Sequence, residues 1–251
     1  MSSVRIEQVT KRFGKFTAVA DLDLTVQPGE IFGFLGLNGA GKTTTIKLIA
    51  GLLAPSAGTI SIDGIDVHRD PVGAKQHLAY IPDDPYLYEK LTGREWLELI
   101  ARLYRIPASQ ADQRIDELLE LLGVAEYQYQ LTEGYSHGTK QKYVFAAAFL
   151  HRPHLMLIDE PMVGLDPQNA HLVKKVLRQI ATESGVSIFM STHTLPLAQE
   201  ICDRIGIIHQ GKLVACGTLD ELRAQAQSRQ LDLEALFLQL TGQYRREQLS
   251  W

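Results

Sequence analysis

The 251-residue chain is poor in several features at once. It has only two cysteines, Cys202 and Cys216, fourteen positions apart and without CxxC spacing. That excludes a disulfide framework and a Cys-built structural zinc site, and leaves two reduced thiols of the kind a cytoplasmic protein keeps. Long apolar runs are missing too: the mid-chain stretch Val144–Leu150 has seven residues, against the ~20 that a membrane-spanning helix needs. There is no basic excess. Lys and Arg number 25 against 29 Asp and Glu, for a net charge of −4, so the electrostatic footprint that wraps a phosphate backbone is lacking and no nucleic-acid partner is expected. The opening MSSVRIEQVT holds no apolar core or cleavage site, so no leader is expected. What remains is ordinary: 45% hydrophobic and 22% charged residues, which excludes disorder as the dominant state and supplies material for one large domain or two small ones.

The order of elements is α/β. Val4, Ile6 and Val9, then the alternating Leu22, Leu24 and Val26, then Ile31 to Leu35 read as strands, with Pro28-Gly29 as a turn. A Gly-rich loop follows, and Thr43 to Ala50 has helical spacing. Thr59 to Ile62 alternates again and closes on Asp63-Gly64, a hairpin signal; His77 to Ile81 fits another strand. From Pro82 to about Tyr143 the pattern is helical. Trp96, Leu97, Leu99, Ile100, Leu103 and Tyr104 form one stripe, Ile115, Leu118, Leu119 and Leu122 a second, and Gly123 stands where a helix would be capped. The β/α alternation then resumes: a strand at Leu155 to Ile158, a helix at Gln168 to Thr182, a strand at Val186 to Met190, a helix end running into a strand at Ile201 to Ile208, and a last strand and helix at Lys212 to Ala215 and Leu219 to Ala224. This predicts a layered α/β fold with a helical block inserted in its middle.

Gly36-Leu37-Asn38-Gly39-Ala40-Gly41-Lys42-Thr43 fits GxxxxGK[ST] at every fixed position, after one predicted strand and at the start of a helix. Glycines let consecutive N–H groups curl around phosphate oxygens, and the helix start adds its positive end. Lys42 suits the outer phosphates, Thr44 continues the helix start, and the Thr43 hydroxyl suits Mg2+. The chain is therefore expected to bind a nucleoside triphosphate. Leu155-Met156-Leu157-Ile158 then leads into Asp159-Glu160. Asp159 is placed to serve the metal, and Glu160 to polarise an attacking water as general base, worth ~10²–10⁴ in rate. His151 and His154 flank Pro153 and read as a surface loop rather than metal ligands.

With these residues in order, the chain resembles the nucleotide-binding subunit of ABC transporters over about residues 4 to 225. Phe13, in Lys11-Arg12-Phe13-Gly14, is similar to the aromatic residue that stacks on adenine. Tyr135-Ser136-His137-Gly138-Thr139 stands where the family has its LSGGQ signature, Val163-Gly164-Leu165-Asp166 is similar to the loop after the acidic strand, and Ser191-Thr192-His193 to the switch histidine. The resemblance implies a P-loop NTPase cassette: a mixed sheet core flanked by helices, with an antiparallel β edge and an inserted helical subdomain. Its parts would be a core of residues 1–82 and 144–225, a helical subdomain of 83–143, and a helical tail of 226–251. It implies ATP and Mg2+ as cofactors, and Lys42, Glu160 and His193 as the catalytic set. Ser136 and Gly138, at a helix beginning near Thr139, would reach the ATP held by a second subunit, and Asp166 would join the nucleotide contacts. Two identical or paired ATPase subunits would thus close head-to-tail around two ATP molecules and drive a separate integral-membrane permease from the cytoplasmic face.

This sequence departs from the family pattern at three positions. His137 replaces a glycine, Thr139 replaces a glutamine, and Asp83 stands where a glutamine is usual. A carboxylate still ligates Mg2+, so Asp83 is expected to serve the metal. These departures, with the Pro85-Tyr86-Leu87-Tyr88 segment, resemble the Ecs-type ATPases of exporter-like permeases, and Leu233 to Leu238 is similar to a C-terminal stretch of drug- and polysaccharide-export ATPases. Tyr86, Leu87 and Tyr88 are the expected permease contact, and Tyr244-Arg245-Arg246 reads as a solvated tail. The alternative is a soluble ABC-type ATPase acting on nucleic acid or ribosomes, but only 95 residues separate Gly41 from Ser136 and there is one phosphate loop. A GTPase is disfavoured because the two asparagines, Asn38 and Asn169, leave no NKxD.

Overall fold

The computed structural model describes residues 3–162, 164–227 and 231–242. β1 (Val4–Phe13) and β2 (Phe16–Val26) form a long antiparallel hairpin. β4 (Ala57–Ile62) pairs with the other edge of β1, and β5 (Ile65–Asp66) completes a four-stranded antiparallel sheet in the order β2-β1-β4-β5. The Asp63-Gly64 turn forms as its sequence demands, with φ of 49° and 84°, the paired positive values of a two-residue hairpin loop.

The second sheet holds β3 (Ile31–Leu35), β6 (Leu78–Ile81), β7 (Leu155–Asp159), β8 (Ser187–Thr192), β9 (Arg204–His209) and β10 (Lys212–Gly217), in the order β10-β9-β3-β8-β7-β6. All neighbours run parallel except the β9–β10 edge. The expected antiparallel component is thus present twice, as this edge and as a separate sheet. Strand alternation divides the core: Leu155, Leu157 and Phe189 pack with the antiparallel sheet and α1 (Lys42–Ile49), while Met156, Ile158, Ile188 and Met190 face the helical block. Each such side chain contributes ~1.5–3 kcal/mol on burial, which is why β7 and β8 read as unbroken apolar runs.

The remaining helices are α2 (Pro71–Gln76), α3 (Gly93–Leu103), α4 (Ala108–Leu121), α5 (His137–Leu150), α6 (Pro167–Ser184), α7 (Leu195–Ile201), α8 (Leu219–Gln225) and α9 (Leu233–Leu240). α2 is too short to leave a periodic signal; Asp70 caps it by accepting from the Gly73 N–H. In α3 the buried side is Trp96, Leu97 and Ala101, whereas Leu103 is 69% exposed, so the expected stripe stops before its last turn. In α4 Ile115 and Leu119 are buried as expected, and Gly123 takes φ 62° just past the helix end.

α5 starts close to where it is expected, at His137 with Ser136 as its N-cap. It runs straight through residues 143 and 144, however, where the helical subdomain was expected to end, because Tyr143 to Leu150 is buried on all sides. The subdomain and the core share this helix. At the other end, Leu233, Leu236 and Phe237 of α9 pack with Ile205, Ile207 and Leu222, so the described part of the tail belongs to the core. Tyr244, Arg245 and Arg246 lie outside the described residues, and among those described no helix is long and apolar enough to cross a membrane.

Candidate active site

The phosphate loop leaves β3 at Gly36 and enters α1 at Lys42. Its tight path needs glycine twice. A Cβ on Gly36 would lie 2.7 Å from the Ile208 carbonyl, and one on Gly41, at φ 114°, would lie 2.6 Å from that of Ala18. Ala40 closes the curl by donating its N–H to the Leu37 carbonyl (3.0 Å). Leu37, Asn38, Gly39 and Thr43 are exposed, while Thr44 is half-buried. Lys42 is buried, and its ammonium donates to the carbonyls of Gly36 (2.8 Å) and Leu37 (3.4 Å). α1 has no side-chain cap and no acidic residue in its first turn, so its free N–H groups and positive dipole end suit an anion.

The acidic pair arrives from β7. Parallel register sets Asp159 opposite Ser191 of β8. One Asp159 oxygen accepts from the Ser191 hydroxyl; the other, Oδ2, is buried without a hydrogen-bond partner among the described residues. An unpaired buried carboxylate oxygen is costly, and it and the hydroxyl of the exposed Thr43 are both oxygen donors of the type that Mg2+ takes. Glu160 adopts φ 49° and is held there by its N–H to the Ser191 carbonyl (3.0 Å), a conformation costing ~1–3 kcal/mol in a non-glycine residue. The turn aims its carboxylate at four donors: Lys42 Nζ (3.6 Å), His193 Nδ1 (2.8 Å), the Thr192 hydroxyl (3.1 Å) and the His193 N–H (3.3 Å). Lys42, Glu160 and His193 therefore form one row. The arrangement can bind an oxyanion at the lysine and hold a base beside it.

Other expected residues fall into two places. Asp83 is exposed just past β6, accepting from the Asp84 N–H (3.1 Å). On β6 itself, burial pushes the Tyr80 phenol up to about 12, with the charges of Asp159 and Asp83 both adding to the rise. Phe13 is 47% exposed at the tip of the β1–β2 hairpin, with the Lys11 ammonium 5.0 Å from its ring centre. It is a surface ring, not a core aromatic.

Ser136, Gly138 and Asp166 form a second group. Ser136 accepts from the Thr139 N–H (3.2 Å) to cap α5, whose first turn has no acidic residue. Asp166 caps α6 by accepting from the Asn169 N–H (2.9 Å), a bond that lowers its pKa. The two caps are neighbours, because a Cβ on Gly138 would contact Asn169 and Leu165, and the His137 ring packs on Gly164. Val163 lies outside the described residues. No hydrogen bond or ion pair among the described residues joins this group to the phosphate loop. Sequence reasoning names Ser191 and Thr192 only as company for His193. The β7–β8 register that gives the first two their roles is not written in either strand alone.

A family model described as "ABC transporter" matches residues 19–163. An uncharacterized ABC transporter ATP-binding protein of Nostoc sp. is 44% identical over 213 residues, covering 83% of this chain; the chain spans 62% of that relative's length. The ABC-type transporter ATP-binding protein EcsA of Bacillus subtilis is 37% identical over 96% of this chain and 97% of its own. A solved structure described as the ATP binding subunit of an ABC transporter superposes with a TM-score of 0.91 at 36% identity, covering 96% of this chain and 100% of the other.

Proposed function

The chain belongs to the ABC transporter family of ATP-binding proteins, and from that premise we propose that it is the ATP-hydrolysing subunit of an exporter, working as a pair around two ATP molecules and driving a separate membrane permease. The observation that carries this reading is the division of the expected nucleotide residues into two groups that no hydrogen bond or ion pair joins among the described residues. Phe13 stacks on the adenine. The amides of residues 36–44 and Lys42 take the phosphates, and Thr43, Asp159 and Asp83 hold Mg2+, which supplies charge neutralisation at the phosphate oxygens. ATP displaces Glu160 from Lys42. The freed carboxylate accepts a proton from the attacking water while His193 positions the γ-phosphate. Ser136 and Asp166, exposed at the N-terminal ends of α5 and α6, and the half-buried Gly138 serve the ATP of the facing subunit, so two copies related by a two-fold axis complete both sites.

The permease is proposed to dock beside Asp83. Tyr86 is 73% exposed and Tyr88 is also exposed, their rings edge-to-face at 6.1 Å, while Leu87 anchors the segment in the core. Such rings suit an interface that is wet before assembly. Through it the subunit sits at the cytoplasmic face of the membrane. Export as the direction rests on the resemblance of residues 233–238 to export ATPases.

Glu160→Gln tests the whole scheme. It removes the base but keeps size and hydrogen bonding. The variant is expected to bind ATP, to lose turnover by ~10²-fold or more, and to accumulate as an ATP-dependent dimer in size-exclusion chromatography. Undiminished turnover would refute the assignment of the base; a monomer at saturating ATP would refute the paired site.

A further inference from the structure

A second cluster of ligating side chains lies at the far end of β6 and β7, a strand length (~15 Å) from Asp159 and Glu160. Asp63 occupies the β4–β5 turn, His77 ends α2 just before β6, and His154 directly precedes β7. Asp63 Oδ2 is 2.7 Å from His154 Nδ1 and 3.1 Å from His77 Nδ1, and the two ring nitrogens are 3.1 Å from each other. The rings meet edge-to-face at 87°. Backbone bonds fix the arrangement, since the His77 carbonyl accepts from the N–H groups of both His154 (2.8 Å) and Leu155 (3.0 Å). His151, by contrast, is turned away: it contacts the Leu78 carbonyl (3.1 Å) and stacks on Tyr104.

Protons alone serve this triangle poorly. Each neutral imidazole has one N–H, and satisfying the contacts requires both Nδ1–H groups to crowd onto a single oxygen while facing each other. A cation over the triangle takes all three lone pairs at once. An ion ~2.0–2.2 Å from each donor in a tetrahedral shell needs donors ~3.3–3.6 Å apart, so the three donors, 2.7 to 3.1 Å from one another, would spread by about 0.2–0.9 Å around it. We propose that Asp63, His77 and His154 bind a divalent transition cation of the zinc class, with its fourth position open to solvent. Two imidazoles and one carboxylate suit Zn2+, Co2+, Ni2+ or Cu2+ and disfavour Mg2+ and Ca2+, which prefer all-oxygen shells. The ion would staple the turn of the antiparallel sheet to the starts of two parallel strands, remote from the nucleotide.

The test uses the full chain, stripped by a chelator and returned to a non-coordinating buffer. Zn2+ titration by calorimetry is expected to show one ion per chain with micromolar or tighter affinity, and Co2+ to give d–d bands of tetrahedral intensity. Saturating Zn2+ should raise the melting temperature by about 5 °C. His154 is the most exposed of the three, so His154→Ala should fold with a cooperative melt, bind Zn2+ at least ~tenfold more weakly and lose the shift; Asp63→Asn should do likewise. The proposal is overturned if the unsubstituted chain shows no saturable one-to-one binding, or if both variants bind Zn2+ as tightly as it does.

Discussion

The two groups of nucleotide residues differ in how completely the chain itself satisfies them. In the phosphate-loop group, Asp159 and Glu160 stand at the end of a buried parallel strand and Lys42 opens the helix that follows another, and Glu160 by itself meets donors from the phosphate loop and from the end of β8. In the signature group, Ser136 and Asp166 are exposed and, among the described residues, their side chains bond only to their own helices. The first group is preorganised by the sheet; the second is held ready on helix ends. On the proposed reading, catalytic geometry is built where buried parallel strands fix it, and the surface offered to a second subunit is built on exposed helix ends.

The sharpest way to break this comparison is to disable each group in turn. Lys42→Ala removes the buried ammonium and should abolish ATP turnover, a loss of ~10³-fold or more. Ser136→Arg blocks the other group and should be nearly as severe for turnover while leaving nucleotide affinity of the dilute subunit unchanged. Mixing the two dead variants should then restore activity to about a quarter of the unsubstituted level, because half of randomly formed pairs contain one intact site out of two. No recovery on mixing would mean that both groups act on one chain's nucleotide. A smaller effect sharpens the first group. Asp83→Ala should lower ATPase activity far more than Asp83→Asn, since the amide keeps an oxygen for the metal. Equal activities would remove Asp83 from the metal site.

Much of the first group was legible in the sequence because its parts are contiguous: eight residues of loop, and two acids after an apolar strand. The same holds for the Asp63-Gly64 turn and the Gly123 helix end, whose φ values are local properties. What could not be read depends on register and crossing. Ser191 is 32 positions from Asp159 and acquires its role only because β7 and β8 pair as they do. His154 read as a loop residue because Asp63 and His77, 91 and 77 positions away, come to it only when both sheets are assembled. Leu103 fitted the stripe of α3, yet a periodic pattern does not reveal where the covering partner ends. The expected boundary at residue 143 falls inside α5 because the buried, apolar second half of that helix has the pattern of a core and its first half that of the helical block.

That helix has a mechanical consequence. Its C-terminal end is clamped: Arg114 donates to the Leu150 carbonyl (3.1 Å), and His151 is stacked on Tyr104 and tied to the first residue of β6. Burial lowers the His151 pKa, so the ring stays neutral and keeps that stack at physiological pH. Its N-terminal end carries Ser136 in the open. Fourteen helical residues make a rod of about 21 Å, so a tilt of about 5° about the clamped end sweeps Ser136 through about 2 Å. For a rod of this length anchored in the core, a displacement the size of a hydrogen bond at its tip needs only a few degrees at its base.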